Sequence, residues 1–203
     1  MINYKILSSG SKGNCVVIND IMVDAGIPYN KLKAELYNIK YLIITHTHSD
    51  HCRIDTLTKI AANFPHIRLI GNFEVHNVFA MNYIANAGFE IETPHYTFKP
   101  FELVHDVLCY GYAWSMGDKE IIYATDTATL EGAPKGAYDY LFLESNHDEE
   151  KLEKIRGEKH GGYDPYLSGK RHLSTQQAKA FFYMNRRSRE SEFIELHQSS
   201  RFY

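Results

Sequence analysis

The run Tyr41–Thr45, YLIIT, is apolar and β-branched, the pattern of a strand buried on both faces. It leads without a break into His46, His48, Asp50 and His51. A strand covered on both faces belongs to an α/β protein, and such proteins place their sites on the loops that follow strands. The next stretch, IDTLTKIAANF, has helical spacing, so the histidine-rich segment is a strand-to-helix loop. On extended backbone His46 and His48 point to one side, while Asp50 and His51 open the following turn. Imidazole and carboxylate are first-choice ligands for borderline divalent metals. A merely solvated loop gives no reason for H-x-H-x-D-H at this place.

The rest of the chain reads as two rounds of strands and helices. YKILSS, CVVIN and IMVDAG are expected strands, and Pro28 opens an expected helix through YNKLKAEL. FEVHNVFAMNYIANAG has helical spacing up to a stop at Gly88. Strands are expected at IRLIG, FEIE, HYTFK, ELVHD, LCYGYAW, EIIYATD and YLFLES. A helix at STQQAKAFFYMN capped by Ser174 and a last strand EFIEL complete the order. This favours an α/β fold of two sheets packed face to face with helices outside, in a single domain over residues 1–203.

Composition sets limits on the partners. No apolar stretch approaches the ~18–20 residues of a membrane span, and the start MINYKILSSGSKGNC lacks a signal-peptide pattern. A cytoplasmic protein with no membrane partner is expected. Cys15, Cys52 and Cys109 are odd in number and widely spaced, which favours reduced thiols. A net charge of −3 gives no general attraction to a polyanion, so any phosphate binding must be local.

One loop cannot fill a two-metal site. His105, Asp126 and His197 each end an expected strand, and together with the loop they complete two ligand sets. His46, His48, His105 and Asp126 would hold one ion; Asp50, His51, Asp126 and His197 would hold the other. The shared Asp126 would keep them at the ~3.5–4 Å of two-metal hydrolases.

THTHSDH, with SSGSKGN and DAG ahead of it and His105, Asp126 and His197 behind, resembles the metallo-β-lactamase superfamily over nearly the whole chain. The resemblance implies a four-layer αβ/βα sandwich with two divalent ions, zinc or manganese, at one edge of its sheets. It makes Asp50 the mark of dinuclear hydrolases and a candidate catalytic residue. RHLSTQQAKAFF and LHQSSRFY are similar to the ribonuclease Z pattern, and LFLESNHD and RHLS to small bacterial single-strand DNA exonucleases of this fold. By that resemblance His172 is catalytic near the scissile phosphate and is no ligand. The alternative gives His172 to the second metal and puts His197 behind it. Arg171 stands where these relatives have glycine, which puts the backbone there in question.

Phosphodiester cleavage needs an activated water, charge neutralisation and a proton for the leaving alkoxide; His172 suits the last role. Arg201 could grip phosphate with its forked donors or simply be solvated. The glycines of SSGSKGN could turn backbone amides toward an anion beside Ser9, Ser11 and Asn14, or only close a hairpin. Asp24 is expected to hold a ligand histidine or the metal loop. His147 is open between substrate contact and packing, and His66, His76, His95 and His160 are read as surface or core residues. The 21-residue step from His105 to Asp126 leaves no room for the long arm of ribonuclease Z. HDEEKLEKIRGEKHGGYDPYLSGKR is the candidate lid. The reading is a metal-dependent hydrolase of phosphodiesters, acting on single-stranded DNA or RNA ends. The alternative is a phosphodiesterase for a small cyclic nucleotide, and relatives of this fold suggest a homodimer.

Overall fold

The computed structural model describes residues 2–159 and 161–202, so the reading of His160 lies outside it. The chain divides into two compact units, Met1–Asn86 and Ala87–Tyr203, each built on one six-stranded sheet.

In the first unit β1 (Tyr4–Ser8), β2 (Cys15–Ile18) and β3 (Ile21–Val23) form an antiparallel meander. The short helix α1 (Tyr29–Leu32) leads to β4 (Tyr41–Ile44), which pairs parallel with β3. Next come α2 (Ile54–Asn63), β5 (Arg68–Gly71), α3 (Phe73–Val78) and β6 (Tyr83–Ile84), the strands again parallel. All four residues of β4 are buried, as its composition demands. Leu42 and Ile44 share a core with Leu57 and Ile60 of α2, each side chain contributing roughly 1.5–3 kcal/mol by leaving water.

Two expected helices are shorter than their spacing suggests. The helix from Pro28 stops at Leu32, and helical backbone resumes only as a 3₁₀ turn over Leu36–Asn38. The helix expected up to Gly88 ends at Val78 because Asn82 docks onto β5. Its N–H donates to the Leu69 carbonyl at 2.9 Å, and its side-chain oxygen accepts the Leu69 N–H at 2.7 Å. That pairing pulls the chain straight and starts β6.

The second unit opens with antiparallel β7 (Ile91–Glu92), β8 (Thr97–Leu103), β9 (Cys109–Met116) and β10 (Lys119–Ala124). β11 (Tyr140–Glu144) and β12 (Glu192–Leu196) extend the sheet in parallel. Between them lie α4 (Glu149–Lys154), α5 (Pro165–Gly169) and α6 (Thr175–Asn185). HYTFK and ELVHD are one strand, not two. Pro100 in its middle breaks no ladder bond: its carbonyl accepts the Gly88 N–H at 3.1 Å, and a strand residue directs N and O to the same side, here away from β9. The interval from His105 to Asp126 is filled by the β9–β10 hairpin.

Both units combine an antiparallel part with parallel strands, and three of the residues singled out in the sequence follow strands with a parallel neighbour, whereas His105 follows the antiparallel β8. His46 follows β4, Asp126 follows β10 and His197 follows β12.

Ser174 caps α6 as expected, in a full capping box: its hydroxyl accepts the Gln177 N–H at 3.0 Å and the Gln177 side chain accepts the Ser174 N–H at 3.0 Å. Ser174→Ala is expected to lower the unfolding free energy by about 1 kcal/mol. A urea midpoint unchanged from wild type would show that the box contributes nothing.

Candidate metal centre

In the first unit everything turns on Asp24. It is wholly buried, with a left-handed backbone at φ 63°, just past β3. Its Oδ1 accepts the Thr45 N–H at 2.9 Å, its oxygens take the Thr45 hydroxyl at 3.0 and 3.1 Å, and Oδ2 accepts Nδ1–H of His51 at 2.7 Å. Asp24 thus holds both the start of the loop and its last histidine, as the sequence suggested. The His46 ring packs between its neighbours, edge-on to His48 with centroids 4.8 Å apart and tilted against His51 at 4.1 Å. His46 and His51 are buried, while His48 and Asp50 are half-buried. Gly26 is obligatory here, since a Cβ on it would lie 1.6 Å from the Asp50 carbonyl oxygen.

The glycine loop joins this arrangement. The Asn14 N–H donates to Asp50 O at 2.7 Å, Gly13 N–H to Gly10 O at 2.9 Å and Gly10 N–H to Asn14 Oδ1 at 2.7 Å. The amides of Gly10 and Gly13 thus close the turn, and that of Asn14 holds Asp50. Asn14 is buried against the metal loop, Ser9 is half-buried and Ser11 exposed.

In the second unit Glu144 takes the part of Asp24. It ends β11 behind four buried apolar residues and is wholly buried. Oε1 accepts Nδ1–H of His172 at 2.7 Å and of His197 at 2.8 Å; Oε2 accepts the backbone N–H groups of Thr127 at 2.8 Å and Leu173 at 3.2 Å. Burial alone would push this carboxyl up, but the two histidines outweigh it and hold it below its ordinary value. Sequence reading passed over Glu144. The available signal was a lone carboxylate closing the apolar strand YLFL, where a charge without donors would be untenable.

Both rings spend Nδ1 on Glu144, so each keeps Nε2 for another partner. His197 Nε2 lies 3.5 Å from Asp126 Oδ1, whereas His172 comes within 3.9 Å of that oxygen only through Nδ1. Asp126 and His197 are held with left-handed backbones, φ 58° and 53°. Asp126, Glu144, His172 and His197 each offer a ligand-type atom within 4.8 Å of the others. Burial pulls the His172 pKa down, but the hydrogen bond and charge of Glu144, helped by Asp126, raise it above its ordinary value. His105 is half-buried on the loop after β8, its Nε2 3.2 Å from Asp106. Arg171 has no left-handed backbone, so this corner does not need the glycine of the relatives.

His147 is 3% exposed, and its Nδ1 has no hydrogen-bond partner. Burial lowers its pKa, and its ring packs 6.1 Å from Phe202. Arg201 is exposed, with its guanidinium 5.7 Å from the Tyr163 ring centroid. The three cysteines are free and buried, and burial pushes the Cys52 thiol up to about 12.

Histidines that hand Nδ1–H to buried carboxylates and keep Nε2 back are built for divalent cations, and the donor sets fit such ions. The chain belongs to the beta-lactamase superfamily, whose domain model matches residues 19–184, and that superfamily consists of metal-dependent hydrolases. No curated protein matches. Among solved structures it is similar to the metallo-beta-lactamase fold protein YhfI from Bacillus subtilis, at 14% identity and TM-score 0.72, covering 98% of this chain and 87% of that one. Similarity to the short form of human tRNase Z is 16% identity and TM-score 0.67, covering 99% and 93% of the two chains. For a diphosphatase from the PhnP family the values are 16% and 0.66, covering 98% and 88%. The α/β fold is therefore that of the metallo-β-lactamases, as the sequence led one to expect. Among the described residues no helix is long and apolar enough to cross a membrane.

Because Glu144 raises the His172 pKa, the protonated form of His172 is favoured by a charge that glutamine lacks. Glu144→Gln is expected to move the His172 titration, followed by NMR of the ring protons, to lower pH. It should also destabilise the fold by about 1–3 kcal/mol through a buried donor left unpaired. An unmoved His172 titration would refute the assigned coupling.

Proposed function

We propose that the protein is a phosphodiesterase that cleaves phosphodiester bonds at single-stranded DNA or RNA ends with two divalent ions, zinc or manganese. The observation that carries this reading is Glu144 shared between His172 and His197, which gives two adjacent imidazoles different tasks. His197 faces Asp126 with Nε2, as a ligand would. His172 turns only Nδ1 toward it and is the more exposed ring, with 19% of its side chain accessible against 7%.

The proposed ligands are His46, His48, His105 and Asp126 for one ion and Asp50, His51, Asp126 and His197 for the other. When bound, the ions supply a water of lowered pKa and neutralise charge on the phosphoryl oxygens. Asp24 keeps the proton of His51 on Nδ1, so that Nε2 carries the lone pair a cation needs. Glu144 does the same for His197. On His172 it has a second effect: it favours the imidazolium, whose Nε2–H can be given to the leaving alkoxide. Asp50 serves as ligand and catalytic residue, while Ser9, Ser11, Asn14, His147 and Arg201 are the proposed substrate contacts. Fold relatives that include a tRNase and a diphosphatase support phosphate chemistry. A net charge of −3 and the short β9–β10 hairpin favour, as a second reading, a small cyclic nucleotide as substrate.

Purified protein is expected to carry close to two divalent ions per chain by elemental analysis, and Asp126→Ala to lose both. Full activity after prolonged chelation would end the two-metal reading. With manganese present, labelled single strands should be shortened; turnover of cyclic nucleotides alone would select the second reading. His197→Ala should lose an ion together with activity. His172→Ala should keep both ions but slow cleavage by about 10²–10⁴-fold, the usual worth of positioned proton transfer. It should largely spare a nitrophenyl phosphodiester, whose leaving group needs no proton. Ion loss in His172→Ala with retention in His197→Ala would exchange the two roles.

A further inference from the structure

The Asn14 carboxamide bridges two segments in the first unit whose chemistry bears on the loop that follows β4. Its Nδ2 lies 2.7 Å from His51 Nε2, and also 3.1 Å from Gly10 O, 3.3 Å from Asp50 O and 3.4 Å from Asp50 Oδ2. Its Oδ1 accepts the Gly10 N–H at 2.7 Å. Acceptors on one side and a backbone donor on the other leave a single orientation for the amide. The imidazole is equally determined. With Nδ1–H donated to the buried Asp24, the neutral ring has one lone pair, on Nε2, and Asn14 is placed to donate to it.

We infer that Asn14 competes with a divalent cation for His51 Nε2 and thereby couples cation binding to the glycine loop Ser9–Asn14. The inference rests on the metal-dependent reading above. One lone pair serves either an N–H donor or a cation. An ion ~2.0–2.1 Å from that nitrogen leaves no room for an amide nitrogen along the same direction. The amide is planar and rigid, so Nδ2 cannot leave without moving Oδ1, which is the partner of Gly10 N–H. Loading His51 therefore releases the Gly10 amide. The loop can respond, since Gly10 and Gly13 already have left-handed backbones, φ 126° and 136°, open to glycine. Asn14 is in this sense a positioning residue that sets the affinity of one ion and the mobility of one loop.

The test uses the full chain, stripped by chelator and titrated with zinc or manganese chloride, with ion number read by elemental analysis and affinity by calorimetry. Amide hydrogen exchange is followed over residues 8–15. In wild type, uptake of the second ion is expected to speed exchange at Gly10 by tenfold or more. In Asn14→Ala, exchange there should be fast with or without metal, and the second ion should bind about five- to tenfold tighter, the equivalent of one lost competing hydrogen bond. Asn14→Asp, which keeps an acceptor for Gly10 N–H and removes the donor to His51, covers the case in which the alanine variant does not fold; because its carboxylate would itself attract the cation, its readout is Gly10 exchange, which should no longer change on uptake of the ion. Two ions bound by wild type with unchanged Gly10 exchange, an alanine variant that binds no tighter than wild type, or an aspartate variant whose Gly10 exchange still responds to the ion would overturn the coupling while leaving the metal reading intact. No ion taken up at all would overturn both.

Discussion

A carboxylate that has lost contact with water stays charged only if donors surround it, and the two units meet this demand in the same way. Asp24 is enclosed by the backbone and hydroxyl of Thr45 and the ring of His51; Glu144 is enclosed by His172, His197 and two backbone amides. Each carboxylate organises segments that follow other strands: Asp24 the loop after β4, and Glu144 the turns after β10 and β12 and the segment just ahead of α6. Remove either one and several buried donors are left unpaired together, so loop geometry and stability depend on the same atoms. The imidazoles are consequently held in one tautomer with one nitrogen aimed away, before any ligand is considered.

The local backbone serves this arrangement at a cost. Gly26 gives way to the Asp50 carbonyl, and the glycine loop spends its amides on itself and on Asp50. The lid region expected from its polar, glycine-interrupted sequence contains two short helices, α4 and α5, capped by Asp148 and Asp164. Leu152 seats directly on Gly169, where a Cβ would come within 2.5 Å of it. The region is tied to the segment after β12 by Lys151, whose Nζ donates to Phe202 O at 2.6 Å, and by Arg201 over Tyr163.

What could be read from the letters followed from how locally each feature is encoded. The histidine-rich loop behind β4 was legible because a buried strand and its four ligand-type residues follow one another in the sequence, and Ser174 because a capping box spans four positions. Asp24 could be anticipated from its place after a strand. Glu144 could not be assigned, because its partners His172 and His197 lie 28 and 53 residues away and a single letter carries no spacing. Helix ends failed for a related reason. The apolar spacing of FEVHNVFAMNYIANAG suits a helix, and only the pairing of Asn82 with Leu69 on β5 decides otherwise. The single strand that runs through Pro100 was not legible either, because proline is forbidden on one side of a strand and harmless on the other, a distinction that appears only when the neighbours are known.

Asp24, Asp126 and His197 share a backbone region that ordinarily belongs to glycine, and each occupies it for the sake of its side chain. A non-glycine residue costs about 1–2 kcal/mol there. Together the three places set aside an amount comparable to a sizeable part of the 5–15 kcal/mol that keeps a typical domain folded. Asp24 and His197 offset that strain with buried hydrogen bonds to Thr45, His51 and Glu144, so selection for heat resistance alone would draw only Asp126 toward glycine, and a lineage relieved of its chemistry would show the change there first, long before its hydrophobic strands drifted.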